Sequence, residues 1–590
     1  MMKSISYRLT LCICVLFSVA NLSADTLTVT WTGAIGELET TIMADTSADG
    51  TQAHDVYKLE ANKTYLQRST IVLESSCDIV GAAYGTGETP ATIQPIPGDD
   101  GLSQFNAYWP AGNIKTYGTD QSYALKNLLF NGVFADGSGT LFGVLATYGI
   151  GNNITVDHVT SVHNEVITYF CFGQEEHWTL TNNTAVQFSS YPAGMYFGGF
   201  WWGGGGGWTG TVESLLIQNN TIEGCHGQAF VIYDNGLVNR TDGAMINIDH
   251  NTFANIIDWP KFYRHGNNTF FTNNLFVNMV TNGQTRNAAN TNIALNNDPV
   301  YGHGKTATLY QGACTDSTLL ADGNCWDNTN RNISYQNNAW MDTPELLDMF
   351  AMEPWCWDLP ADSNGVVVTL CDTMIAGQSR WLGDSTQAQY ANGVYMSNNL
   401  HATDLGWNLD AAYITAQTNR TRDWLDNGIH DTHTDRFWMH QADGDNVSVQ
   451  WPLALDFSYS TTSGAATLCK HGGPVGSTHH MAHAGDLTLS TKPDEIVAST
   501  FALNQNYPNP FNPSTEISFT LNEAADVNLS IFNMLGQKVR TLTSGSKPAG
   551  VYSLEWNGRD EMGQSVSTGV YLYTLSNGSK SITKKMALMK

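Results

Sequence analysis

A short phrase recurs along the middle of this chain and constrains its fold more than any other feature. It alternates apolar residues with others and ends on a polar pair, most often Asn-Asn. It reads Leu215-Leu216-Ile217-Gln218-Asn219-Asn220 and runs on as Thr221-Ile222. It returns as Ile246-Asn247-Ile248-Asp249-His250-Asn251 and as Phe271-Thr272-Asn273-Asn274. Fainter copies lie at 128–133, 154–159, 178–183, 333–338 and 394–399. Alternation with period two predicts β-strands, each closed by a turn at the polar pair. The first members of the pairs fall at 132, 158, 182, 219, 250, 273, 337 and 398, so successive steps are 26, 24, 37, 31, 23, 64 and 61 residues. The short steps suit one coil of a parallel β-helix, and the long ones suit a coil carrying a loop. In such a stack the asparagines line up and bond amide to amide. A β-sandwich with Asn-rich turns is the competing fold, but its hairpins rarely repeat one phrase in one register.

The chain has 590 residues, too many for one ordinary core, and is expected to hold more than one module. Its formal charge of -27 argues against a nucleic-acid binder, which needs a basic face. Lys3 and Arg8 precede an apolar run, Leu9 to Ala20, and small residues follow up to Ala24. That is the pattern of an export signal, too short to span a bilayer comfortably, and residues 1–24 are assigned to it. The mature chain keeps eight cysteines, Cys77, Cys171, Cys225, Cys314, Cys325, Cys356, Cys371 and Cys469. An even number in an exported protein permits disulfides, with Cys314–Cys325 and Cys356–Cys371 as the nearest-neighbour pairs. None has zinc-type spacing, and no metal site is assigned.

Residues 25–490 form the expected solenoid with its insertions, 491–506 a linker and 507–590 a second module. Asp45 to Gly50 resembles a calcium loop without its closing Glu, or a plain Asp-Gly turn. A Gly-rich aromatic loop carries Trp201, Trp202 and Trp208. Exposed rings there would stack on sugar CH groups as substrate-binding residues; folded back, they would form a lid over the solenoid. Pro344 to Phe350 reads as one or two turns of helix. Further on, His430, Asp431, His433, Asp435 and the later His471, His479, His480 and His483 have metal-ligand types but no regular element to orient them, as solvated loop histidines do.

From Tyr507 the composition changes. Tyr507-Pro508-Asn509-Pro510-Phe511-Asn512-Pro513 cannot continue a ladder, and short alternating strands follow at 516–521, 527–533, 551–556 and 569–575. That predicts a small β-sandwich. These residues, with Asn533-Met534-Leu535-Gly536, Trp556-Asn557-Gly558 and Ser567-Thr568-Gly569-Val570-Tyr571, closely resemble the C-terminal sorting domain of the type IX secretion system, an immunoglobulin-like module akin to the flagellar hook-capping one. The resemblance implies outer-membrane secretion machinery as a partner, then release or attachment at the cell surface.

The fold class expected is therefore all-β: a right-handed parallel β-helix with long loop insertions, followed by an immunoglobulin-like sandwich. The rungs resemble the pectin-lyase-like superfamily. Arg264-His265-Gly266-Asn267, with Asn251-Thr252-Phe253 before it, is similar to the alginate lyase and chondroitinase B family. That similarity implies β-elimination on an extracellular polysaccharide, with calcium as the cofactor on the uronate carboxylate, which makes the C5 proton acidic for a base. Arg264, His265 and Lys261 become the candidate catalytic residues. The family's lysine slot falls near Asp242-Gly243, where no lysine stands. Two functions are expected from these features: a secreted protein that binds and cleaves polysaccharide, or a non-catalytic adhesin or structural surface protein.

Overall fold

The computed structural model describes residues 25–478 and 502–589, apart from 84–87, 98–112, 136–142, 165–166, 189–198, 204–211, 226–228, 234–244, 257–260, 264–267, 280–283, 286–331, 352–354, 359–364, 367–368, 373, 376–393, 427–448, 450, 452, 454, 470–471 and short turns after 503. The chain divides into two compact units, Met1–Gly485 and Asp486–Lys590.

The first unit is a parallel β-helix. Three long parallel sheets of 11, 7 and 10 strands take successive strands of the chain in rotation. One coil shows the rule. Met245–Asp249 belongs to the first sheet, Thr252–Ile256 to the third and Lys261–Tyr263 to the second. Asn268–Thr272 then returns to the first sheet, directly against Met245–Asp249. The register carries the repeat: Leu215 pairs with Ile246, which pairs with Thr269, and Ile217 with Ile248, which pairs with Phe271. In the strand Asn153–Asp157, Ile154 and Val156 are buried while Asn153 is exposed, so alternate side chains point into the coil. Their common row is the core, finished by stacked pairs such as Phe253–Phe276 and Phe271–Tyr335.

The third sheet breaks the alternation. All five residues of Thr252–Ile256 and of Leu275–Met279 are buried. The reason lies in the stretch after the last coil. Ala402, Leu405, Tyr459, Ala465 and Val475 pack on Leu275, Val277, Ala339 and Met341, and Leu409, Ile414 and Phe457 pack on Ala254. The solenoid thus has a cover on one face, from a region whose sequence lacks the repeat. Pro344–Phe350 is a helix, as its sequence suggests.

Several expectations need correcting. The polar corner of the fourth coil is at Asn127, between Ser122–Lys126 and Leu128–Asn131, not at 132. The phrase there starts one strand late because Leu128-Leu129-Phe130 is itself apolar. Trp201 is not exposed for sugar stacking: Gly199–Gly203 is a strand of the second sheet, and the Trp201 ring is fully buried, edge-on to Trp178. The glycines around it disguised a core strand as a loop. Asp45 is tied to His54 at 2.7 Å and to the Tyr57 hydroxyl at 2.8 Å, so this stretch is a turn with its carboxylate already engaged. The three cysteines whose side chains are described, Cys77, Cys171 and Cys469, are not in disulfides. Cys356 and Cys371 occupy facing positions of an antiparallel pair, Trp355–Asp358 with Thr369–Asp372. Cys314, Cys325 and residues 1–24 lie outside the described residues.

The second unit is a β-sandwich of a three-stranded and a four-stranded antiparallel sheet. Phe511, Ile517, Phe519, Leu529, Ile531, Trp556, Tyr573 and Met586 fill its core. Lys538–Lys547 and Ser581–Leu588 are strands that the sequence did not signal, since much of each is exposed and rich in Ser, Thr and Lys.

Candidate functional site

The corner between the first and third sheets is the best-defined polar feature of the molecule. Only the polar pair separates the two strands in most coils, for example Gln218 from Thr221 and Thr272 from Leu275. The first member turns the chain with positive φ: Asn182, Asn219, Asn273, Asn337 and Asn398 all lie between 53° and 57°. Asn tolerates this conformation better than other non-glycine residues. The second member points inward and forms a continuous ladder. Asn220 Nδ2 donates to Asn251 Oδ1 at 2.9 Å, Asn251 to Asn274 at 3.0 Å, Asn274 to Asn338 at 3.0 Å and Asn338 to Asn399 at 3.1 Å. Each oxygen also takes a backbone N–H of the preceding coil, and each amide also donates to a main-chain carbonyl, as Asn274 does to Ile248 O at 2.8 Å. The buried turn is therefore satisfied internally.

Two coils place Asp-His where their neighbours have Lys-Asn, Thr-Asn or Gln-Asn. In one, Asp157 Oδ2 meets His158 Nδ1 at 2.9 Å, and Thr181 Oγ1 and Asn182 Nδ2 donate to Asp157 Oδ1. That pair is open to solvent, with His158 53% and Asp157 30% exposed. In the other, Asp249 Oδ2 meets His250 Nδ1 at 2.8 Å, and Thr272 Oγ1 and Asn273 Nδ2 donate to Asp249 Oδ1 at 2.6 and 2.8 Å. Gln218 Nε2 adds a bond to Oδ2 at 2.9 Å. This pair is buried, at 7% and 4% exposure.

What buries it is a strap from the covering region. Gly476 N–H donates to Asn273 O, Ser477 N–H to Thr252 Oγ1 and Thr478 N–H to Asn219 Oδ1, at 2.8, 2.9 and 2.6 Å. Gly476 has φ +87°, and a Cβ there would stand 2.7 Å from Thr252 Oγ1, so the strap can lie this close only with glycine. The same covering stretch carries the buried Cys469. Gly473 N–H donates to Cys469 Sγ at 3.1 Å, closing a tight turn. Burial alone would lower the His250 pKa. The Asp249 charge and its hydrogen bond outweigh that and raise it to about 10. Burial likewise works to raise Asp249, and the His250 charge and four donors hold its carboxyl below the usual range instead.

The residues singled out from sequence are distributed differently. Lys261 begins the end strand of the second sheet, paired with Val231. Arg264 and His265 follow that strand directly and, with Trp208, lie outside the described residues. Trp202 follows Trp201 in its strand, paired with Phe170 and Val231. The His430–Asp435 cluster and His471, His479, His480 and His483 are likewise outside. Among the described residues no group of three or more His, Cys, Asp or Glu converges as metal ligands would, so no residue here is assigned to hold calcium. The covered Asp249–His250 pair escaped the sequence because the strap at 476–478 that buries it is far from it in the chain. The available signal was the substitution of Asp-His into an Asn-Asn phrase.

Fold and corner together define a covered parallel β-helix joined to an immunoglobulin-like sandwich. The family model of the FlgD Ig-like domain matches residues 505–581. Two solved structures align with short parts of the chain. Dimeric latent PorU from Porphyromonas gingivalis is 17% identical over 15% of this chain and 9% of that one, with a TM-score of 0.14. PorZ, described as an essential surface component of the type IX secretion system of the same organism, is 23% identical over 17% of this chain and 13% of that one, with a TM-score of 0.12. This chain thus spans a small fraction of either. No curated protein matches it.

Proposed function

We propose that the protein is exported through the outer-membrane secretion machinery and engages extracellular polysaccharide at or beyond the cell surface. The observation that carries this is where the chain varies in length. The asparagine corner is fixed at the polar pair in nearly every coil. Every long connection within the stack from Pro95 onward begins or ends at the second sheet, or stands where its strand would be: Pro95 to Ile114, Asn131 to Leu145, Phe188 to Gly199, Gly203 to Val212, Tyr233 to Met245, Met279 to Asn332 and Met341 to Val394. A solenoid whose insertions gather on one flank has loops there to build one side of an extended cleft, and repeat proteins use such surfaces for binding. In the sequence Arg264 and His265 come immediately after Lys261–Tyr263, a strand of that second sheet. The sandwich unit, with its FlgD Ig-like match, supplies the secretion side of the proposal.

In the catalytic form, Arg264 neutralises a uronate carboxylate and His265 or Lys261 handles the C5 proton; calcium, when bound, would supply further charge stabilisation. In the non-catalytic form, the same flank only binds. A glycan array on the mature protein and its Arg264→Ala variant separates the two from failure. Retention of neutral or acidic glycans, weakened at least about 10-fold in the variant, supports the site. Absorbance from unsaturated uronate ends on alginate, pectate or chondroitin, with and without calcium, assigns the lyase form. Absence of both retention and absorbance rejects the proposal.

A further inference from the structure

We propose that Lys115, Tyr117 and Tyr148, on the rim of the second sheet, form a subsite for the anionic group of an acidic sugar residue. This rests on the polysaccharide reading above and adds to it the class of sugar and the place where it lands.

Alternation and register fix the placement. In Ile114–Thr116 the two outer residues are buried in the coil, and Lys115 between them points out. This strand pairs residue for residue with Leu145–Thr147, which pairs in turn with Tyr169, Phe170 and Cys171. The residues that follow, Tyr117, Tyr148 and Phe172, therefore stand in one column. Their rings stack, Tyr117 on Tyr148 at 4.9 Å and 9°, and Tyr148 on Phe172 at 5.3 Å and 12°. The column lies open at this end: Tyr117 is 38% exposed, and Ile150, two residues after Tyr148, is 48% exposed.

Three donors on this rim have no acceptor in the protein. Lys115 makes no ion pair or hydrogen bond among the described residues, and burial of its stem works against its charge. The phenol hydroxyls of Tyr117 and Tyr148 also lack a hydrogen-bond partner among them. Lys126 shows the ordinary arrangement, held by Asp78 at 3.0 Å. Stacking occupies the ring faces, so the column offers its edges, the positive part of the aromatic quadrupole. Ring edges, hydroxyls and an ammonium all favour anionic oxygen. Glu74, next after the Leu73 that pairs with Thr116, turns an anion away from the preceding coil and towards Lys115 and Tyr148. In a chain of net charge -27 a local cation decides where an acidic ligand can settle. The rings recur once per coil, at a strand spacing of about 4.8 Å, close to the length of one sugar residue. A linear glycan can thus follow the column coil by coil.

The test uses the full mature chain and compares alginate, which carries carboxylates, carrageenan, which carries sulfates, and neutral dextran. Affinity electrophoresis is expected to show retention by at least one acidic polymer, weakened at least about 10-fold in Lys115→Gln and reduced by salt. Which acidic polymer retains the protein assigns carboxylate or sulfate. A Tyr117→Phe, Tyr148→Phe double variant keeps the rings and is expected to lose about 5-fold. In the wild type, oligomers of the retained polymer at about ten times their Kd should slow acetylation of Lys115 by about 5-fold or more, mapped by peptide mass spectrometry. Lys126 should be unaffected. Retention by dextran alone, an unprotected Lys115, or acidic retention that survives Lys115→Gln but falls in Arg264→Ala would each overturn this subsite and leave the wider reading standing. No retention by any glycan would reject both. The protection experiment needs no variant to fold.

Discussion

At the scale of single residues, buried carboxyl groups in this molecule differ in how completely they are partnered. Glu176, deep in the coil, is pushed up by burial yet accepts bonds from Thr147, Trp178, Cys171 and Asn152. Asp342 differs. Burial raises its carboxyl to about 7, and its Oδ1 has no hydrogen-bond partner among the described residues. A folded-state pKa above the unfolded one means that the native state holds the proton more tightly. Its favourable contribution is present below about pH 4 and is lost as pH rises through 7. Asp342→Asn should therefore stabilise the protein by about 2 kcal/mol at pH 8 and by little at pH 4. Urea unfolding of both proteins at the two pH values checks this; an equal difference at both would contradict it.

At the scale of elements, the asparagine ladder and the strap make separable contributions. Asn274→Ala strands the amide of Asn251, the Ile248 carbonyl and the Asn338 side chain in a buried corner. The expected loss is about 2–4 kcal/mol, read as a lower urea midpoint at unchanged slope. Asn398→Gly, in the outer row, keeps the positive φ at an exposed position and should cost under about 1 kcal/mol. Equal losses in the two variants would refute the ladder's role. In the strap, Gly476→Val drives a side chain into Thr252 and Leu275. It should detach the strap and speed iodoacetamide labelling of the buried Cys469, with the β-sheet circular dichroism of the coils retained.

At the scale of the whole molecule, the two units have separate cores, one rowed along the coils and one between two antiparallel sheets. Calorimetry of the mature chain should show two transitions, and a fragment of residues 502–590 should unfold cooperatively at the temperature of one of them. A single transition, or an unstructured fragment, would show that the units depend on each other. In a host with the secretion machinery, removing the same residues should leave the β-helix unexported. Normal export of the truncated chain would break the link between this unit and secretion.

Much of the architecture was legible before any coordinates, because it is periodic. Alternation set the inward rows, the polar pair marked the turn, and a shared register followed once Asn220, Asn251 and Asn274 had to satisfy each other across coils. The tail was legible for a different reason, its specific proline- and glycine-bearing turns. Three things came only from the tertiary structure. Trp201 looked like a loop residue because glycines surround it, yet pairing with Tyr169 and Phe230 makes it core. The cover over the third sheet has no repeat to announce it, since its contacts depend on surface shape rather than period. The Asp249–His250 pair is buried because a strap crosses the corner, and contacts between distant segments leave no local pattern in a sequence. Local periodicity determined the coil; long-range packing decided which of its corners is covered.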